Sequence, residues 1–201
     1  MASIIKVDDV QDAAGNNIII EAGDTITIGA SGDTINIASG ATNNIGITNA
    51  QQWRTTAAQT AMDDGDVVTD NWEQADSYGA GVIGSAMSES SGVFTFPSTG
   101  IWHISFTCVG SDDVGQLYIG GLIQSTTDNG SYNTAATGYI NLDSSAGNKY
   151  FTTTVDFIFD VTSTSTHKIR FTVTCSTNGI ALAGNTNRTD TGVVFTRLGD
   201  T

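Results

Sequence analysis

The sequence predicts an all-β chain whose main domain is a jelly-roll sandwich, and three observations lead to this fold class. Apolar and polar residues alternate with a period of two in several segments, as in strands with one face in a core. Charged residues are only 14% of the 201 residues, and one proline accompanies many β-branched residues. No segment keeps the 3.6-residue period of a helix. The pattern indicates about ten short strands, which suits a jelly roll.

The acidic composition argues against nucleic acid as a direct partner. The formal net charge is −14, and the chain has only 7 Lys and Arg residues for contacts with phosphates. No apolar run reaches the roughly 18 residues of a membrane span, and residues 1–12 lack the apolar core of a secretory signal. We therefore expect a soluble product of the cytosol without membrane insertion.

Residues 1–48 contain a repeat that predicts an N-terminal β stalk. Four Ile-x-Ile units recur, at residues 18–20, 26–28, 35–37 and 45–47. One short strand cannot bury its own isoleucines, whereas stacked copies can, and so short a region has too little core to fold alone. This favours a β-prism-like stalk in which three chains share Ile26, Ile28, Ile35 and Ile37. A meander packed on the second domain is the alternative.

Residues 49–201 are predicted to form the jelly-roll knob. Residues 48–52 are polar and suggest a joint, and residues 124–137 suggest an exposed loop. Short strands are expected at 53–56, 71–73, 82–84, 85–87, 117–119, 139–142, 180–182 and 193–198.

Two long segments, 155–161 and 169–175, alternate most clearly. Their predicted core residues are Val155, Phe157, Phe159 and Val161 in the first and Ile169, Phe171, Val173 and Cys175 in the second. If the two strands pair, Lys168 and Arg170 lie opposite Asp160 and Asp156 on an outer face. Cys108 and Cys175 both have core parity, which favours buried free thiols, and one disulfide between them is the alternative.

Few residues are candidates for catalysis or metal binding. The two histidines, His103 and His167, have no metal-ligand spacing, and no catalytic or phosphate-binding motif occurs. Asp63, Asp64 and Asp66 are weak candidates for calcium, because clustered carboxylates suit that ion. They lack the twelve-residue loop with its closing Glu, so a solvated acidic turn is the other interpretation. We expect neither a cofactor nor a resident metal.

Residues 92–108 hold the most distinctive motif. A strand from Val93 to Phe96 is expected to end at Pro97, which has no N–H for a sheet ladder, and Gly100 supplies backbone freedom before the next strand. In that next strand one face carries Trp102, Ile104, Phe106 and Cys108, and the other carries Ile101, His103, Ser105 and Thr107.

The pattern Phe94-Thr95-x-Pro97-x-x-Gly100-x-Trp102-x-Ile104-x-Phe106 resembles the corner of a trimeric jelly-roll superfamily. That superfamily contains the globular heads of complement component q and the tumour necrosis factor cytokines. Residues 191–198 resemble its closing strand, and residues 1–16 are similar to the start of many tail-fibre proteins of marine phages, cyanophages included.

These resemblances imply a non-enzymatic phage virion protein, made in the host cytoplasm and located in the virion. It is expected to be a homotrimeric tail or head fibre that contacts other virion proteins through residues 1–48 and a host surface glycan or protein through its knob. A capsid decoration (cement) protein at local threefold axes is the nearest alternative. A carbohydrate-binding module and a glycan-degrading enzyme are two others, although no carboxylate pair stands out for hydrolysis.

Apolar residues on an outer face need a cover, and threefold association would supply it around an axis. The interface candidates of the knob are Ile101, Tyr118 and Ile158. The loops at 60–70, 111–115, 124–137 and 184–191 are the expected places for recognition.

Overall fold

Two antiparallel β-sheets lie face to face in the computed structural model, which describes residues 46–145 and 147–201. The seven-stranded sheet comprises β1 (Asn49–Thr55), β2 (Gln59–Met62), β3 (Trp72–Gln74), β6 (Gly100–Asp112), β9 (Lys149–Val161), β11 (Ile180–Leu182) and β12 (Gly192–Gly199). The five-stranded sheet comprises β4 (Ser88–Ser90), β5 (Val93–Thr95), β7 (Tyr118–Thr126), β8 (Asn133–Asn141) and β10 (Lys168–Cys175).

The predicted fold class is confirmed, because the described residues form an all-β jelly-roll sandwich without a helix. They contain twelve strands, where the sequence pattern indicated about ten. Within this part of the chain, no helix is long and apolar enough to cross a membrane. The predicted stalk lies outside the described residues, apart from residues 46–48 at its end.

Strand β6 is the centre of the seven-stranded sheet and follows the alternation that predicted it. Trp102, Ile104 and Phe106 are fully buried, and the residues between them are partly exposed. One edge of β6 pairs with β9 over all 13 residues of the strand. The other edge pairs first with β12 and then with β11. In the five-stranded sheet the order is β4-β5-β10-β7-β8.

Aromatic rings from both sheets fill the space between them. The ring centroid of Phe94 lies 5.4 Å from that of Trp53 and 5.3 Å from that of Phe195, both on the opposite sheet. Phe106 of β6 stacks on Phe171 of β10 at a centroid distance of 4.5 Å. Such pairs stabilise a core by more than their buried area alone, so the corner motif also joins the two sheets.

The corner between β5 and β6 depends on Gly100. This residue has a φ of +140°, and a Cβ there would lie 2.5 Å from Arg197 Nε and from Gly199 O. A side chain would therefore be strained by the backbone and would meet the end of β12. The turn is held further by Trp102, whose Nε1 donates to Ser98 O at 3.3 Å.

The two long alternating strands do not pair with each other, so the register considered for that case does not occur. Strand β9 pairs with β6, whereas β10 pairs with β5 and β7 in the other sheet. Lys168 therefore lies opposite Thr95 and Thr126, and Arg170 opposite Gln124, rather than opposite Asp160 and Asp156. The alternation correctly assigned the inward faces, but the inward rows of β9 and β10 belong to opposite sheets that share one core.

Three other segment predictions are also corrected. Residues 49–52 are not a joint but the first half of β1, where Gln51 is only 3% exposed. Residues 124–137 are mostly strand, since β7 extends to Thr126 and β8 begins at Asn133. Residues 82–87 form one isolated bridge, between Ala50 and Ile83, instead of two strands.

Buried hydrogen bonds explain why the polar segment 49–52 can be a strand. The Gln51 Oε1 atom accepts hydrogen bonds from Trp53 Nε1 at 3.0 Å and from the Met87 N–H at 2.8 Å. Its Nε2 donates to Asn49 Oδ1 at 3.0 Å. A buried amide that is satisfied in this way costs little, and this residue also holds the segment before β4 against β1.

Candidate functional site

The outward-pointing residues of β6, β9 and β12 form one surface, which we call the seven-strand face. Across it, His103 of β6 lies between Thr196 of β12 and Ile158 of β9, and Ser105 lies between Val194 and Asp156. Cross-strand neighbours on one face of a sheet are close enough to act together. The three strands therefore present a continuous surface rather than separate residues.

Apolar side chains on this face remain open to solvent. Ile158 is 60% exposed and Val194 38%, while Ile101 is half-buried. Ile101 lies opposite Asp160, two positions along β9 from Ile158. The structure thus brings together two of the interface candidates, Ile101 and Ile158, on the same face.

Two pairs of polar side chains contact each other on the seven-strand face. His103 Nε2 lies 3.1 Å from Asp156 Oδ1, and the Oγ1 atoms of Thr107 and Thr154 are 3.2 Å apart. Because these four groups have partners within the face, covering them would not leave them without a hydrogen bond.

Tyr118 lies on the other side of the molecule from Ile101 and Ile158. It points outward from β7, in the surface formed by β7, β8 and β10, which we call the five-strand face. Its ring meets that of Tyr139 at a centroid distance of 5.8 Å and an interplanar angle of 87°. The four stalk candidates Ile26, Ile28, Ile35 and Ile37 lie outside the described residues.

The Tyr118–Tyr139 pair is a feature that the sequence interpretation did not identify as a site. The two rings and Asn141 line an open cavity of about 320 Å³. Tyr139 is 60% exposed and Tyr118 36%. The pair could have been identified only from the register of β7 with β8, in which Tyr118 lies opposite Asn141 and Gly120 lies opposite Tyr139.

The carboxylates of the acidic turn after β2 make hydrogen bonds that stabilise the fold. Asp64 Oδ1 accepts hydrogen bonds from Thr174 Oγ1 at 2.8 Å and from the Cys175 N–H at 3.1 Å, while Asp66 Oδ2 accepts from the Asp63 N–H at 2.8 Å. These carboxylates are thus tied to β10 and to their own turn. Among the described residues, no group of three or more His, Cys, Asp or Glu side chains could hold a metal ion.

Both cysteines are buried free thiols, and both have the inward orientation that the alternation predicts. Burial raises the pKa of Cys108 to about 12. Burial, together with the nearby charges of Asp64, Asp63 and Asp66, raises the pKa of Cys175 to about 11. A thiol with so high a pKa is a poor nucleophile at neutral pH.

The contacts of the two histidines are of a kind that stabilises the fold. His167 is buried, stacks on Phe159 at a centroid distance of 5.6 Å, and lies 3.1 Å from Thr162 Oγ1. His103 pairs with Asp156 on the open seven-strand face. The partner of His103 is a carboxylate, and the two hydroxyls that contact the ring of His167, those of Thr162 and Thr166, belong to the turn between β9 and β10 that the histidine holds together.

A buried cation near the end of β1 was not foreseen from the sequence. Arg54 is 2% exposed; its Nε donates to Glu73 Oε1 at 2.8 Å and its Nη2 to Asp76 Oδ1 at 2.6 Å. Burial disfavours the charge, but the hydrogen bonds to Glu73 and Asp76 outweigh it and raise the pKa of Arg54. The cluster fixes the loop after β3 against the sheet.

Comparison with known proteins supports the fold. No family model matches the sequence, and no curated protein matches it. The crystal structure of murine APRIL at pH 5.0 is similar with a TM-score of 0.54 at 13% identity, covering 75% of this chain and 98% of that one. The structure of Eiger TNF from S. frugiperda is similar with a TM-score of 0.56 at 12% identity, covering 78% and 95%. At these identities the likeness establishes a jelly-roll of the tumour necrosis factor type.

Proposed function

We propose that the protein is a non-enzymatic phage virion protein that assembles as a homotrimer through the seven-strand face. In this proposal it is a tail or head fibre, with residues 1–48 attached to other virion proteins and the knob directed to the host surface. The observation that carries the assembly is the group of apolar residues, Ile158, Val194 and Ile101, that the seven-strand face leaves open or half-buried.

Physical chemistry supports burial of this face. Complete burial of one Val, Leu or Ile side chain is worth about 1.5–3 kcal/mol, and each contact surface is repeated three times in a threefold assembly. Exposed apolar residues that lie together among polar ones are typical of surfaces that associate. The repeat of residues 18–47 supports association between chains, because its short strands need neighbours to bury their isoleucines.

The sequence resemblances support the virion. The corner at residues 94–106 resembles that of a trimeric superfamily, and residues 1–16 resemble tail-fibre proteins. A capsid decoration protein would use the same trimer, so its distinguishing feature is position on the particle. A threefold knob on a stalk would multiply weak contacts with a host surface through avidity.

Light scattering coupled to size-exclusion chromatography of the full chain tests the assembly. We expect three times the chain mass of 20.9 kDa, and a monomer at micromolar concentration would refute the proposal. Cryo-electron microscopy of the intact particle tests the location. Density at the tail or on a head fibre agrees with the first assignment, and density on the capsid lattice at local threefold positions would assign a decoration protein.

A further inference from the structure

The exposed Tyr118–Tyr139 pair on the five-strand face is held in a fixed arrangement. A Cβ at Gly120 would lie 2.1 Å from Gly138 O and 3.1 Å from Tyr139 Cδ1, so the Tyr139 ring lies close over a position without a side chain. Tyr118 flanks the same ring at nearly a right angle. The ring of Tyr139 is thus packed against the backbone near Gly120 and against the ring of Tyr118, and packing that exists before binding lowers the entropic cost of binding.

The pair leaves ring surface free for a ligand. In a perpendicular pair the edge of one ring meets one face of the other, so the remaining faces are not used by the ring–ring contact. Asn141 completes the lining of the 320 Å³ cavity, opposite Tyr118 in the strand register. Its amide both donates and accepts hydrogen bonds, as the tyrosine hydroxyls also do.

This combination selects a flat ligand that has apolar C–H surface and hydroxyl groups. Among the residues that the structure describes, no Lys, Arg, Asp or Glu lines the cavity, so an anionic group would find no counter-charge there. Nucleobases also stack on aromatic rings, but their phosphates need cationic side chains, and the chain carries a net charge of −14. A pyranose ring of a neutral sugar has both the apolar C–H surface and the hydroxyl groups, and it carries no charge.

We propose that Tyr118, Tyr139 and Asn141 form a binding site for one or two units of a neutral glycan. The C–H face of a pyranose packs on Tyr139, Tyr118 closes the side of the site, and Asn141 hydrogen-bonds the sugar hydroxyls. The biological role of this site rests on the proposed function, since it would be the knob's contact with a host surface polysaccharide.

A glycan microarray probed with the full-length protein tests the site. The array presents neutral hexose and N-acetylhexosamine oligosaccharides next to sialylated and sulfated ones, and the best neutral oligosaccharide is then titrated by calorimetry. We expect binding to neutral glycans and a loss of about tenfold or more in affinity for Tyr139→Ala. Tyr139→Phe keeps the ring and should stay within about twofold of wild type.

Tyr78→Ala is the matched control, because Tyr78 is 88% exposed and lies outside the cavity. This control should bind as wild type does. The site is refuted if no neutral glycan binds, if only acidic glycans bind, or if Tyr139→Ala binds as tightly as wild type. The molar mass of every variant is measured in parallel. A change of mass in Tyr139→Ala would identify a contact between copies and would also refute the site.

The two proposals fail in different ways. A monomeric protein that binds neutral glycan through Tyr139 would refute the trimer and keep the site. A trimer that binds no neutral glycan would keep the assembly and refute the site.

Discussion

The two outward sheet faces are built on the same alternation but leave different side chains open. On the five-strand face, the ring of Tyr132 lies over the guanidinium of Arg170, while Tyr118 and Tyr139 stay exposed. On the seven-strand face, Ile158 of β9 keeps 60% of its surface exposed. The first face therefore exposes aromatic rings, whereas the second exposes aliphatic side chains.

This difference separates two kinds of surface. The open seven-strand face spreads its apolar residues over β9 and β12, as an area for association between copies requires. The five-strand face concentrates its exposed aromatic surface in one pair at the ends of β7 and β8. We therefore assign assembly to the first face and recognition to the second, and the following variants test that division.

The largest effect is expected for Ile158→Asp. In the proposed trimer this change buries a carboxylate without a partner in each of three copies, and an uncompensated buried charge costs about 3–5 kcal/mol. We expect the mass measured by light scattering to fall from trimer to monomer, while the near-ultraviolet circular dichroism of the knob is kept.

Leu117→Asp is the matched control for this variant. Leu117 is also 60% exposed, but it precedes β7 on the other side of the sandwich. The control should remain trimeric. Equal dissociation by both variants would mean that general surface charge, rather than the seven-strand face, governs assembly.

A substitution in the core between the two sheets shows how much stability is lost when neither outward face is altered. Phe94 lies within 5.5 Å, centroid to centroid, of the rings of Trp53, Trp72, Phe171 and Phe195. Phe94→Ala should lower the free energy of unfolding by about 3–5 kcal/mol, measured by urea denaturation at several protein concentrations. Phe94→Leu should lose less, and an unchanged stability for Phe94→Ala would contradict the bridging role of this ring between the sheets.

Core alternation was readable from the sequence, whereas strand partners were not. The period of two correctly placed Trp102 and Phe106 in β6 and Phe171 in β10 on the inside. The same pattern holds whichever strand is the neighbour, so it could not tell that β9 joins β6 and β10 joins β7. The charge match considered for a pair of β9 with β10 would be worth only about 0.2–1 kcal/mol, which core packing easily overrides.

A candidate site could be predicted where the alternation of one strand is enough to place its residues. It was missed where its residues come together only through the register of two strands. Ile158 follows from the parity of β9 alone, and its exposure was expected. Tyr139 becomes notable only beside Tyr118 and over Gly120, which requires the register of β7 with β8. Gln51 shows the same limit, because its burial depends on the Met87 N–H, 36 residues away.

An intermediate effect is expected from Cys108 at alkaline pH. Its folded-state pKa is raised to about 12 by burial, whereas an unfolded thiol titrates near 8.5. The unfolded chain therefore binds fewer protons between these values, and the stabilisation is complete below the unfolded pKa and lost as pH rises. The slope of unfolding free energy against pH should be about 1.4 kcal/mol per unit shallower in Cys108→Ala than in wild type between pH 9 and 11. Equal slopes would contradict the burial of this thiol, and neither assembly nor glycan binding should change at pH 7.

The smallest effect is expected on the covered part of the five-strand face. The guanidinium of Arg170 lies 4.1 Å from the ring centroid of Tyr132, and its Nε donates to Gln124 Oε1 at 2.8 Å. A double-mutant cycle of Arg170→Ala and Tyr132→Ala, followed by urea denaturation, should give a coupling energy of about 0.5–1 kcal/mol. The molar mass should stay that of the trimer in all three variants, because this contact lies within one chain. Dissociation of Arg170→Ala would contradict the division between the faces, since a contact that stabilises only the fold of its own chain has no means of holding three chains together.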